Sequence, residues 1–135
     1  MGSSATKTVL VLGRTLLAAL FLVSVIGKLT AWGPTAAYAS QAGVSPVLLV
    51  GATALELIGG LSLLTGYKVS WGALVLLVFL VPVTVVMHAF WAGPKEMQQI
   101  QLAMFLKNVA IAGGLLVLFA SAAPASAPAA QRQPV

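Results

Sequence analysis

The chain has 135 residues, of which 60% are hydrophobic and 7% charged, and it contains no cysteine. That composition excludes a water-soluble globule, and the missing thiols exclude disulfides, iron–sulfur ligation and any dithiol relay run by this chain alone. The formal charge of +5 makes no basic patch, because Arg14, Lys28 and Lys107 lie inside apolar runs while Lys7, Lys68, Lys95 and Arg132 are scattered. Nucleic acid is therefore not an expected partner, and the charge reads as membrane topology.

A bilayer core about 30 Å thick takes roughly 20 apolar residues per helix, so the chain has room for about four spans and short connections. The expected fold is an all-α integral membrane four-helix bundle. Residues 1–7 read as a short cytoplasmic tail, residues 8–122 as the transmembrane domain, and residues 123–135 as a disordered tail rich in Ala, Pro and Ser, which lacks the large apolar residues needed to order it. The first span runs from Thr8 to Thr30. The following AWGPTAAYASQAGVSP, broken at Gly33 and Pro34, makes a loop or a short interfacial helix. The second span, Val47 to Gly66, stops at Gly66-Tyr67-Lys68; the third, Trp71 to Phe90, stops at WAGPKE; the fourth runs from Gln99 to Ser121.

Two processing patterns bear on the first span. Ala37-Tyr38-Ala39 has the form of a signal-peptidase site, but the apolar stretch before it is too long for a signal peptide and is interrupted by Arg14 and Lys28, so the span is retained. Met1-Gly2 with Thr6 fits a myristoylation pattern that a four-span protein does not need. Four spans put the N-terminus, Lys68 and the C-terminal tail on one side, which collects Lys7, Lys68 and Arg132, whereas Lys95 on the other side is balanced by Glu96. Both termini are accordingly expected in the cytoplasm, with the chain crossing the membrane four times.

The ionisable groups at membrane depth carry most of the information, because each costs about 2.5 kcal/mol or more near the bilayer centre and usually faces a bundle interior or cavity. In the first span Arg14, Phe21 and Lys28 recur at heptad spacing with Ser24 beside Lys28, so this face should point inward. Glu56 sits about nine residues into the second span and Lys107 about eight into the fourth, both from the outer end, which at ~1.5 Å per residue sets them at one level. Gly60, one turn from Glu56, lets a facing helix approach. Glu56 and Lys107 are therefore the expected buried ion pair, with Lys107 on a stripe of Gln99, Ala103, Ala110 and Gly114. Its blander alternative is a pair that merely fixes helix register. Arg14 either snorkels to the surface or serves as a second partner for Glu56 or as an anion contact.

The third span places Thr84, His88 and Trp91 on one face, and Pro82 frees the carbonyl of Val78, which favours a kink or local water. One His with no Cys or carboxylate neighbours does not make a metal site, so no metal is expected. The tryptophans near span ends suit an interfacial belt. By depth Lys28, Glu56, His88, Gln98, Gln101, Lys107 and Asn108 share the outer half of the bilayer, an arrangement suited to a lipid-soluble molecule with polar ends, such as a quinone headgroup. Glu56, Lys107, His88, Lys28, Asn108, Gln101, Trp91 and Arg14 are the ligand-binding candidates.

GRTLLAALFLVSVIGKLT at Gly13 to Thr30, ALELIGGLSLLTGY at Ala54 to Tyr67, HAFW at His88 to Trp91 and QIQLAMFLKNVAIAGGLL at Gln99 to Leu116 together resemble the DoxX family of small prokaryotic membrane proteins. That family usually has a proline after the histidine, where this chain has Ala89. The resemblance implies a four-helix inner-membrane bundle accompanying oxidoreductases, with relatives similar to subunits of a thiosulfate:quinone oxidoreductase. Taken with the outer polar pocket, it points to a quinone or lipid as the ligand, with no covalent cofactor, and to redox-enzyme subunits and membrane lipids as partners; the small residues Gly51, Gly59 and Gly114 suit either internal packing or a homo-oligomer. The absence of cysteine places any thiol–quinone chemistry on a partner chain. A non-enzymatic scaffold or assembly factor is the second reading, and a small-solute transporter the third.

Overall fold

The computed structural model describes residues 3–122, which form five helices in the order α1 (Ser3–Thr30), α2 (Trp32–Gln41), α3 (Pro46–Thr65), α4 (Val69–Met87) and α5 (Lys95–Ala122). Four of them, all but α2, are long and apolar enough to cross a membrane. The expected four-span bundle is present, and the segment after the first span is a helix rather than a loop. Residues 123–135, expected to be disordered, lie outside the described part.

Local chemistry sets the ends. In α2 Pro34 sits in the first turn, where its missing N–H would have no helical acceptor anyway. Gly43, at φ +78°, stops it. Ser45 caps α3 by accepting a hydrogen bond from the Leu48 N–H at 3.3 Å, with Pro46 at the first helical position. Gly66 closes α3 at φ +79° and donates its N–H to Ser62 O, and the Ser62 hydroxyl bonds Tyr67 O at 2.6 Å. Three span boundaries differ from expectation. Residues 3–7 continue α1 instead of forming a tail, because no Gly or Pro interrupts them. The third span ends at Met87, since His88 leaves helical geometry at φ −124°. The fourth starts at Lys95, directly after Pro94, with Glu96 placed in the first turn, where the helix dipole favours it.

The helices pack as a chain of neighbours. Central α3 contacts α1 on one side and α4 on the other, α4 carries α5, and α1 meets α5 only slightly. The core is Ala18 and Phe21 from α1, Leu63 from α3, Ala73, Leu76, Phe79 and Leu80 from α4, and Leu115 and Leu118 from α5. Side chains facing outward are almost all aliphatic, which suits hydrocarbon as the surrounding solvent. Without a hydrophobic drive between helices in lipid, close packing has to hold them, and glycines provide it. Gly59 lies against Leu76 and the Gly72 carbonyl, Gly72 lies against Ser62, and Gly60 lies against Leu22 of α1, so α3 fits closely to both neighbours.

Candidate ligand-binding cavity

At the α2 end of the bundle a cavity of about 840 Å³ is walled by all five helices. Most of its lining is aliphatic, and several lining residues, among them Leu20, Tyr38, Leu48 and Lys107, are also exposed, so the cavity opens to the surroundings. Its polar centre is an ion pair between Lys28 of α1 and Glu56 of α3. Glu56 is 2% exposed. Lys28 Nζ also donates to Ser24 Oγ at 2.7 Å and lies 5.6 Å from the centroid of the Phe79 ring, a cation–π contact that counts for more away from water. An ammonium has three hydrogens; two are engaged here, and the third is free for a bound molecule.

The structure corrects the expected Glu56–Lys107 pair. Glu56 is held by Lys28, while Lys107 is exposed and approaches only Met104 Sδ, at 3.6 Å. Helical side chains lean toward their own N-terminus. α1 and α3 run in opposite directions, so Lys28 leans toward the bundle centre and Glu56 leans back toward it. Lys107 rides on α5, which runs parallel to α3, so it leans the same way as Glu56 and the two do not converge. The inward face of α5 is Asn108, Leu115 and Leu118, and Lys107 lies about 100° round the helix from Asn108. The expected stripe of Ala103, Lys107 and Ala110 is exposed. Gly60 does admit a close neighbour, but the neighbour is α1, with Leu22 against it.

Asn108 is 7% exposed and lines the cavity; its side-chain amide stays accessible there and has no hydrogen-bond partner among the described residues. His88, half-buried at the end of α4, also lines the cavity; its Nδ1 lies 2.9 Å from Gln101 Oε1. The other ring nitrogen, Nε2, has no hydrogen-bond partner among the described residues. Gln101 thus positions His88 without lining the cavity itself. Trp91 stands outside, in a cluster of edge-to-face rings with Phe90 at 5.0 Å and Phe105 at 5.9 Å. Arg14 is far from the cavity. Its guanidinium lies on Gly66 at the C-terminus of α3, where the helix dipole favours a cation, and its Nε is buried without a partner.

Of the residues that sequence reasoning grouped, Lys28, Glu56, His88, Lys107 and Asn108 line this cavity, while Phe79 and the α2 wall, including Tyr38, were not among those it named. Phe79 is one apolar residue in a wholly apolar span, and nothing in its spacing separates a cavity wall from a lipid contact. Among the described residues no group of His, Cys, Asp or Glu could hold a metal ion.

A polytopic membrane bundle with, among its described residues, a buried charge pair in a cavity walled in part by the short helix α2 is the class this geometry defines. Residues 9–89 match the DoxX family, and the chain belongs to it. It is also similar to the inner membrane protein YqjF of Escherichia coli (strain K12), at 31% identity over 105 residues, covering 78% of this chain and 77% of that protein. The location is the inner membrane, crossed several times. No solved structure matches. The family match ends before α5, which supplies Lys107 and Asn108 to the cavity.

Proposed function

We propose that this DoxX protein is a quinone- or lipid-binding accessory subunit of a membrane oxidoreductase. The observation that carries the reading is the aliphatic cavity whose buried polar groups are incompletely used: a free hydrogen on Lys28, the unbonded amide of Asn108 and the open Nε2 of His88. Few convergent donors in an apolar volume suit a headgroup with carbonyl or hydroxyl ends on a hydrocarbon tail. A quinone becomes a quinol by taking two electrons and two protons. The Lys28–Glu56 pair and His88 are groups able to exchange those protons. The electrons would be supplied by a partner enzyme, since the chain has no cysteine to relay them.

The orientation follows from charge. Lys7, Arg14 and Lys68 collect at the end bearing the termini, and Lys95 beside Glu96 leaves the α2 end near neutral, so both termini face the cytoplasm and the cavity lies in the outer half of the membrane. The test is to purify the protein, identify co-extracted quinones and lipids, and measure melting with added ubiquinone analogues. Retention of a quinone or lipid, or a rise in melting temperature, supports the proposal; neither one overturns it. A scaffold is the second reading, favoured by the closure of Glu56 on Lys28 within the bundle. A stable Lys28→Met, Glu56→Gln protein with full cellular function would decide for the scaffold.

A further inference from the structure

Gly114 of α5 and Leu17 of α1 lie against each other about midway along α1, an ideal Cβ at Gly114 lying 3.8 Å from the Leu17 methyls. Continuing that antiparallel register by one and then two turns sets Leu20 against Ile111 and Ser24 against Lys107. All four of these line the cavity, and Leu20 and Lys107 are exposed. Because α1 and α5 meet only slightly, the line between them above Leu17 is a sparsely packed gap before the cavity, with Lys107 at its rim.

The charges around that gap do not balance. Lys28 is neutralised by Glu56, which leaves Lys107 as an added positive charge on the lining. The other acidic side chain among the described residues is Glu96, three turns earlier on α5 and roughly 16 Å away along the axis. A cation at this depth calls for an anion. Beside it stands Asn108, buried and without a hydrogen bond, able to donate to a second oxygen of the same headgroup.

We propose that the cavity is filled sideways from the bilayer, through the gap between α1 and α5, by an amphiphile with an acidic headgroup that binds Lys107 and Asn108 while its tail lies along Leu20 and Phe21. This rests on the reading of the cavity as a site for a lipid-soluble molecule and narrows the occupant, since a neutral headgroup would leave Lys107 uncompensated. The acid is a carboxylate or a phosphate ester, from a free fatty acid or a phospholipid.

The protein in phosphatidylcholine nanodiscs separates these cases by native mass spectrometry with oleate, oleyl alcohol, phosphatidylglycerol and decylubiquinone as probes. Oleate or phosphatidylglycerol is expected to bind at least about tenfold more tightly than oleyl alcohol, a difference of about 1.4 kcal/mol, and the acid preferred identifies the source. Lys107→Gln, at an exposed position, should keep the melting temperature and abolish the preference. A Leu20→Cys, Ile111→Cys disulfide, in a chain free of other cysteines, should stop loading until it is reduced. Equal binding of oleate and its alcohol, tighter binding of decylubiquinone, or a preference unchanged in Lys107→Gln overturns the acidic-headgroup inference and leaves the cavity reading standing. Undiminished loading of the cross-linked protein overturns the lateral route. Binding of none of the probes, with no co-purified lipid or quinone, defeats the cavity reading as well.

Discussion

The seam between α3 and α4 and the seam between α1 and α5 are built on opposite plans. At the first, Gly59 and Gly72 remove side chains so that Leu76 and Ser62 can press against bare backbone. At the second, Gly114 meets Leu17 only in ordinary van der Waals contact, and above that point Leu20 and Ser24 of α1 and Lys107 and Ile111 of α5 line a cavity. In hydrocarbon, helices adhere only where they fit, because lipid tails satisfy apolar side chains as well as a neighbour does. A tight seam and an open one can therefore coexist in one bundle, the first holding the fold and the second leaving room for a guest. The ion pair belongs to neither seam. It joins α1 to α3 at the back of the cavity and keeps α1 in place where α5 does not support it.

Breaking that tie should have the largest effect. Glu56→Gln leaves Lys28 charged and without its carboxylate, at a cost of about 3–5 kcal/mol in thermal or denaturant unfolding, and Lys28→Met, Glu56→Gln together should recover most of the loss. A double mutant no more stable than the single would mean that the pair does not act as a unit. Overpacking the tight seam comes next: Gly59→Val must displace Leu76 and crowd the Gly72 carbonyl, for a loss of about 1–3 kcal/mol. Gly66→Ala should cost about 1 kcal/mol or more, since an L residue is strained at φ +79° and its Cβ would meet the Arg14 guanidinium. Arg14→Ala in that background relieves the collision but not the backbone strain, so stability should recover only in part. The smallest effect is at Gly113 on α5, where an added Cβ meets nothing within 4 Å. Gly113→Ala should be neutral or stabilising by up to about 1 kcal/mol through helix propensity. A loss there as large as at Gly59 would mean that Gly113 packs against a neighbour instead of lying open.

Some of the site was legible from local chemistry. Lys28 shares a face with Phe21 at heptad spacing, and that face is inward, with Phe21 2% exposed. Gly60 correctly marked a close approach to the helix carrying Glu56. The partner of Glu56 was not legible, because matching depth along two helices says nothing about how each is turned about its axis. For a helix in water, a polar stripe reveals that rotation. In α5 the lipid-facing and core-facing sides are equally apolar, and the exposed Lys107 mimicked an inward group.

The sequence by itself determined the four spans, their breakers at Gly66, Pro94 and the segment after Thr30, and the position of each charge along its helix, because bilayer thickness and backbone hydrogen bonding act on length and composition alone. Tertiary structure decided which charge Glu56 meets, where the cavity opens, and that Asn108 rather than Lys107 turns inward. Those outcomes depend on helix rotation, on the lean of side chains along antiparallel axes, and on where glycine lets two backbones close, and a solvent as apolar as the protein core leaves no trace of them in the polarity pattern.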